Sequence, residues 1–94
     1  MLVVGKKEFD CEENDILGRE GTLAKEVFEG IPTVSRHHIL LTRMDGRWRI
    51  TVLPGVMNIS LLDGRQIPVN QPQPLSGEHV ISLSRRCDIR LRVY

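Results

Sequence analysis

The sequence predicts an all-β fold, a sandwich or barrel of short strands, and three observations carry that expectation. Apolar residues recur with a period of two over several stretches, not with the 3.6-residue period of a helix. Asp-Gly, Pro-Gly and Ser-Gly dipeptides punctuate these stretches, so the strands between them are short and evenly spaced. Helix-favouring composition is confined to residues 23–29.

Taken in chain order, residues 23–29 (Leu-Ala-Lys-Glu-Val-Phe-Glu) are too few for a helix stable by itself, lack a capping residue, and run into Gly30-Ile31-Pro32. Val27 and Phe28 are accordingly expected in a strand or an irregular edge. Residues 37–43, rich in branched side chains, form the next strand. Asp45-Gly46 joins it as a hairpin to residues 47–53, where Trp48, Ile50 and Val52 alternate with Arg47, Arg49 and Thr51. Pro54-Gly55 ends that strand. Asp63-Gly64 lies between residues 59–62 and 65–69 and marks a second hairpin. Gln71-Pro72-Gln73-Pro74 lacks backbone donors at its prolines and is confined to a loop or a sheet edge. Ser76-Gly77 is a turn, and residues 79–84 form another strand. Residues 88–94 alternate without a break, with Ile89, Leu91 and Val93 toward a core and Arg90 and Arg92 toward water.

A chain of 94 residues accommodates one domain, here expected across residues 1–94. Its aromatics are Phe9, Phe28, Trp48 and Tyr94, too few for a base-stacking platform, so the core rests on Val, Ile and Leu. The net charge of +1 is spread along the chain and gives no pull toward nucleic acid or an anionic membrane. No apolar run approaches the ~20 residues needed to span a bilayer, and the N-terminus lacks the regions of a signal peptide. A cytoplasmic location is expected. Cys11 and Cys87 belong to no Cys-x-x-Cys pair; free thiols are the expectation, with a single bridge as the alternative. His37, His38, His79 and the cysteines do not make a metal site, because adjacent histidines on a strand point to opposite faces. With no Ser/His/acid order and no Gly-rich phosphate loop, neither catalysis nor a cofactor nor a metal is expected.

The remaining signal is a set of short motifs in a fixed order. Leu17-Gly18-Arg19 comes first and Val34-Ser35-Arg36-His37-His38 second. Trp48-Arg49-Ile50 and Asn58 follow, then Leu62-Asp63-Gly64, and residues 75–83 (Leu-Ser-Gly-Glu-His-Val-Ile-Ser-Leu) precede the last strand. Singly, these residues have plain readings. Arg19 can be a solvated charge at a strand end, Ser35 an ordinary turn or cap residue, and Asn58 a residue tolerating left-handed backbone. The same types also suit a phosphate: Arg offers a rigid fork of donors and Ser a compact hydroxyl.

As an ordered set, the motifs resemble the Gly-Arg, Ser-x-x-His and Asn-Gly signature of the forkhead-associated (FHA) domain family, over about residues 16–93. The resemblance implies a two-sheet antiparallel β-sandwich of the SMAD/FHA type, with about eleven short strands and a ligand bound by loops at one end. It implies a non-catalytic signalling module whose partner is a phosphothreonine-containing protein or peptide, acting as a monomer. By matching positions, Arg19 would pair with the phosphate and Ser35 would donate to one of its oxygens. Arg36 would contact the phosphate or the peptide, and Asn58 would hydrogen-bond the peptide backbone. Gly18 and His38 would brace the loops. From the residues themselves, His37 is solvent-facing by default with a place at the ligand rim as the alternative, and Met57 and Ser60 of the next loop are further candidates for the rim. The run Val56-Met57-Asn58-Ile59-Ser60 departs from the signature: Met57 offers no hydroxyl, and β-branched Ile59 stands where a Gly would take positive φ. That more apolar loop motivates an alternative, a phosphorylation-independent interaction or assembly module on the same scaffold.

Overall fold

The computed structural model describes residues 1–4, 7–56, 58–84 and 87–93. Met57, expected at the ligand rim, and Tyr94, expected to end the last strand, lie outside the described residues. The elements run β1 (Leu2–Val4), β2 (Lys7–Phe9), β3 (Ile16–Leu17), α1 (Lys25–Phe28), β4 (Ile39–Met44), β5 (Arg47–Val52), β6 (Ser60–Leu62), β7 (Arg65–Gln66), β8 (Gln73–Pro74), β9 (Gly77–Leu83) and β10 (Cys87–Val93). These strands form two antiparallel sheets, one in the order β2-β1-β10-β9-β6-β7 and the other β3-β4-β5-β8. Among the described residues, an isolated bridge between Val52 and Val69 adds one further short segment to the ten strands, in keeping with the expected eleven.

The period-two reading explains how the layers pack. In β10 the residues alternate strictly at first, Cys87, Ile89, Leu91 and Val93 buried, Asp88 and Arg90 exposed. Ile81 and Leu83 of β9 point into the same layer, and Ile39, Leu41, Ile50 and Val52 meet them from the second sheet. Both expected hairpins are present. Met44 pairs with Arg47 and Leu62 with Arg65. Their two-residue turns need positive φ at both positions, and Asp45 and Gly46 take 53° and 75°, Asp63 and Gly64 50° and 83°.

The expectation for Val27 and Phe28 is corrected: they lie in α1, a single helical turn. Propensity does not hold this turn, since Ala24 before it is left-handed at φ 53° and gives no side-chain cap. Burial does. Phe28 is fully enclosed, and Leu23 and Ala24 are buried beside it. The chain then continues in tight turns, with Ile31 N–H donating to the Phe28 carbonyl and Val34 N–H to the Ile31 carbonyl. This wound segment delivers the backbone to Ser35. Cys11 and Cys87 are free thiols, half-buried and buried, and burial is the main cause raising the pKa of both.

Candidate functional site at the loop end of the sandwich

Three loops converge where β3 leaves its sheet and β4 enters it. They are the segment between β3 and β4, the described part of the segment between β5 and β6, and Ser84 directly after β9. Backbone hydrogen bonds lace the first loop to itself: Arg19 N–H donates to the Ser35 carbonyl at 3.1 Å, Glu20 N–H to Arg36 at 2.9 Å, and His38 N–H to Leu17 at 2.8 Å. The two strands of this lacing approach so closely that only glycine fits at position 18. A Cβ there would stand 2.3 Å from the Arg36 carbonyl oxygen and 2.7 Å from that of Ser35. Leu53 N–H donates to the His38 carbonyl at 3.0 Å and so attaches the second loop.

His38 is the internal brace. It is fully buried, and both ring nitrogens are engaged. Ser35 N–H donates to Nδ1 at 3.0 Å, which makes Nδ1 an acceptor and leaves the proton on Nε2, 2.7 Å from Ser60 Oγ. Burial pushes the imidazole pKa down to about 4. His38 is therefore neutral near pH 7, with no free nitrogen to act as a base. Ser60, expected at the rim, is corrected here: it is 2% exposed and holds His38 from inside.

Arg19, Ser35, Arg36 and His37 are brought together, lining one open cleft with Pro54 and Gly55, of about 410 Å³. Arg19 Nε–H donates to the Val34 carbonyl at 2.5 Å, which orients the guanidinium and leaves its two terminal NH2 groups for a ligand. Among the described residues the Ser35 hydroxyl has no protein partner, while its backbone is fixed at N–H and carbonyl. Asn58 does not line this cleft. It is exposed, and its Nδ2 donates to the Thr33 carbonyl at 2.8 Å, two residues before Ser35. Thr33 also shares a hydroxyl–hydroxyl hydrogen bond of 2.8 Å with Ser84. Sequence reasoning missed Thr33 and Ser84, which are 51 positions apart, and took Pro54-Gly55 only as a strand end. No local pattern marks the first pair; the second was visible as a turn, but its place in the cleft depends on strand register.

Away from the cleft, His79 is also fully engaged. Ser76 N–H donates to Nε2 at 3.0 Å, and Nδ1–H donates to Asp63 Oδ2 at 2.6 Å. That hydrogen bond, helped by the Val80 N–H, holds the Asp63 carboxyl below its usual pKa. Among the described residues no group of three or more His, Cys, Asp or Glu side chains is placed to hold a metal ion.

The family model for the FHA domain matches residues 4–84. None of the curated proteins compared with the chain matches it. Among solved structures, the N-terminal FHA domain of S. cerevisiae Rad53p, in complex with a phosphothreonine peptide, is similar with a TM-score of 0.66 and 19% identity, over 87% of this chain and 67% of that one. An engineered FHA domain with a Myc-pTBD peptide gives a TM-score of 0.69 and 17% identity, over 95% and 71%. At such identities the likeness establishes the fold.

Proposed function

This chain belongs to the FHA domain family, and from that premise we propose that it is a non-catalytic, monomeric interaction module that captures phosphothreonine-containing peptides in the Arg19–Ser35 cleft. One observation carries the reading. Arg19 and Ser35 are fastened to each other through backbone, Arg19 N–H to Ser35 carbonyl, and line the same opening with uncommitted donor groups. A guanidinium and a hydroxyl on a backbone that cannot splay are pre-organised for an oxyanion, so little ordering is left for the binding step. Hydrogen bonds to a doubly charged phosphate are about twice as strong as neutral ones. The similar Rad53p domain, solved with a phosphothreonine peptide, supports the assignment of ligand.

Calorimetric titration with a phosphothreonine peptide and its unphosphorylated counterpart tests it. Only the phosphorylated form binds, and Arg19→Ala weakens binding by tenfold or more, as loss of a hydrogen bond to a charged group, about 1.5–3 kcal/mol, requires. Arg19 also holds the Val34 carbonyl, so Ser35→Ala, which removes only an unpartnered hydroxyl, is the cleaner second variant. Equal binding of both peptides refutes the reading. It would favour instead a phosphate-independent docking surface, for which the 39% exposure of Ile59 beside Asn58 is the specific support.

A further inference from the structure

Resting on the phosphothreonine reading, we propose that Arg36 and His37 form a second anion subsite beside Arg19 and Ser35. The preferred ligand is then a phosphothreonine peptide carrying another anion, carboxylate or phosphate, next to the phosphothreonine.

The charge inventory of the cleft is one-sided. Of the six described residues lining it, Arg19, Arg36 and His37 present nitrogen donors, and none of the six presents a carboxylate. Bulk charge does not explain this, because the chain as a whole has 13 Lys and Arg against 12 Asp and Glu. Nor are Arg36 and His37 occupied elsewhere. Both are exposed, and among the described residues neither side chain has a hydrogen-bond or ion-pair partner. By contrast, Arg90 and Arg92 on the sheet face both approach Glu78, at 4.0 and 3.7 Å.

Free surface cations are common and mobile, but these two project from anchored backbone. The Arg36 carbonyl accepts from Glu20 N–H at 2.9 Å, and on the far side of His37 the His38 N–H donates to Leu17 at 2.8 Å. The opposite wall, Pro54 and Gly55, contributes no side-chain acceptor to compete for them, and Pro54 has no N–H. One phosphate is served by Arg19 and Ser35. The donors of Arg36 and the ring N–H of His37 remain for a second anion on the same peptide, Arg favouring planar two-oxygen acceptors and phosphate alike.

The test is a calorimetric titration of the chain at low ionic strength with three peptides of one core sequence. In one the phosphothreonine has neutral neighbours, in the second it has Asp and Glu neighbours, and in the third a neighbouring phosphoserine. Binding of at least one anion-bearing peptide is expected to exceed that of the neutral-flanked one by about two- to fivefold, and the favoured arm identifies the anion. The ratio is expected to shrink toward one in Arg36→Gln and in His37→Gln, and to shrink with added salt in the wild type. His37 is exposed and holds no other described residue, so His37→Gln keeps the test open should Arg36→Gln disturb the loop. Equal affinity of the wild type for all three phosphopeptides overturns the second subsite and leaves the phosphothreonine reading intact. An undiminished ratio in both variants likewise overturns the assignment to these residues. Failure of every phosphopeptide to bind overturns both readings together.

Discussion

Lowering the pH from 7 to 5 should strip a defined amount of stability from this domain through one side chain. His38 is fully enclosed, its Nδ1 accepts from Ser35 N–H, and burial depresses its pKa from 6.5 to about 4. The direction follows from proton counting. Between pH 6.5 and about 4 the unfolded chain binds a proton at this histidine and the folded chain does not, so stability rises with pH across that window. The contribution is fully present above pH 6.5 and is lost as the pH falls toward 4. At about 1.4 kcal/mol per pH unit, roughly 2 kcal/mol is gone at pH 5, and about 3 kcal/mol at pH 4 and below. Protonation would place a second donor against the Ser35 N–H, so the loss falls on the loop that carries the phosphate-facing hydroxyl. Urea denaturation followed by the fluorescence of Trp48, the single tryptophan, measures it. With an m value of about 1 kcal/mol/M, the midpoint should fall by about 2 M between pH 7 and pH 5. His38→Asn, which keeps an acceptor near Ser35 and cannot titrate, should be less stable at pH 7 but should lose most of this pH dependence. An unchanged wild-type midpoint, or an equal slope in His38→Asn, refutes the reasoning.

Other perturbations have equally definite outcomes. Gly18→Ala forces a methyl against the Arg36 and Ser35 carbonyls, at 2.3 and 2.7 Å. It should cost about 2–4 kcal/mol in urea denaturation through strain and lost backbone bonds, and should weaken phosphopeptide binding in calorimetry even where the protein stays folded. Ser60→Ala leaves the buried Nε2–H of His38 without its acceptor and should cost about 1–3 kcal/mol by the same assay. Asp63→Ala removes the acceptor of the His79 ring and of Val80 N–H from a turn at φ 50°. It should destabilise by about 1–2 kcal/mol without changing phosphopeptide affinity, because none of these residues lines the cleft. Iodoacetamide should label Cys87 slowly in the native protein and rapidly in urea, since it is 7% exposed with a raised pKa.

Local chemistry was legible and distant enclosure was not. The two hairpins could be read because an Asp-Gly turn needs only its own two residues in left-handed backbone, as Asp45-Gly46 and Asp63-Gly64 both show. The alternation of β10 was legible because seven residues give a period room to repeat. By contrast, β1 and β2 have three residues each, too few to display any period, and β1 finds its partner at Leu91 and Arg90, the far end of the chain. The α1 turn was hidden for another reason: its warrant is the cavity that Phe28 fills, which exists only once the sheets have closed. Gly18, Arg19, Ser35 and His38 stood out only through the ordered motifs that resemble the FHA signature, since each has a plain reading by itself; that all four lie in the single segment between β3 and β4 is why short motifs could mark them. Ser60 was harder to read: it lies in β6, paired with Leu83, and its hydroxyl turns inward to His38, 22 positions away. The hydrogen bond from Asn58 to the Thr33 carbonyl spans 25 positions and was equally invisible locally.

Backbone amide chemical-shift mapping during titration with a phosphothreonine peptide tests the central claim most directly. The largest changes should fall on residues 19, 35, 36 and 37 and on Gly55 across the cleft, and the unphosphorylated peptide should leave them unmoved. Changes concentrated instead around the Asp45-Gly46 turn and Ser76, or on the outward residues of β9 and β10, would contradict it.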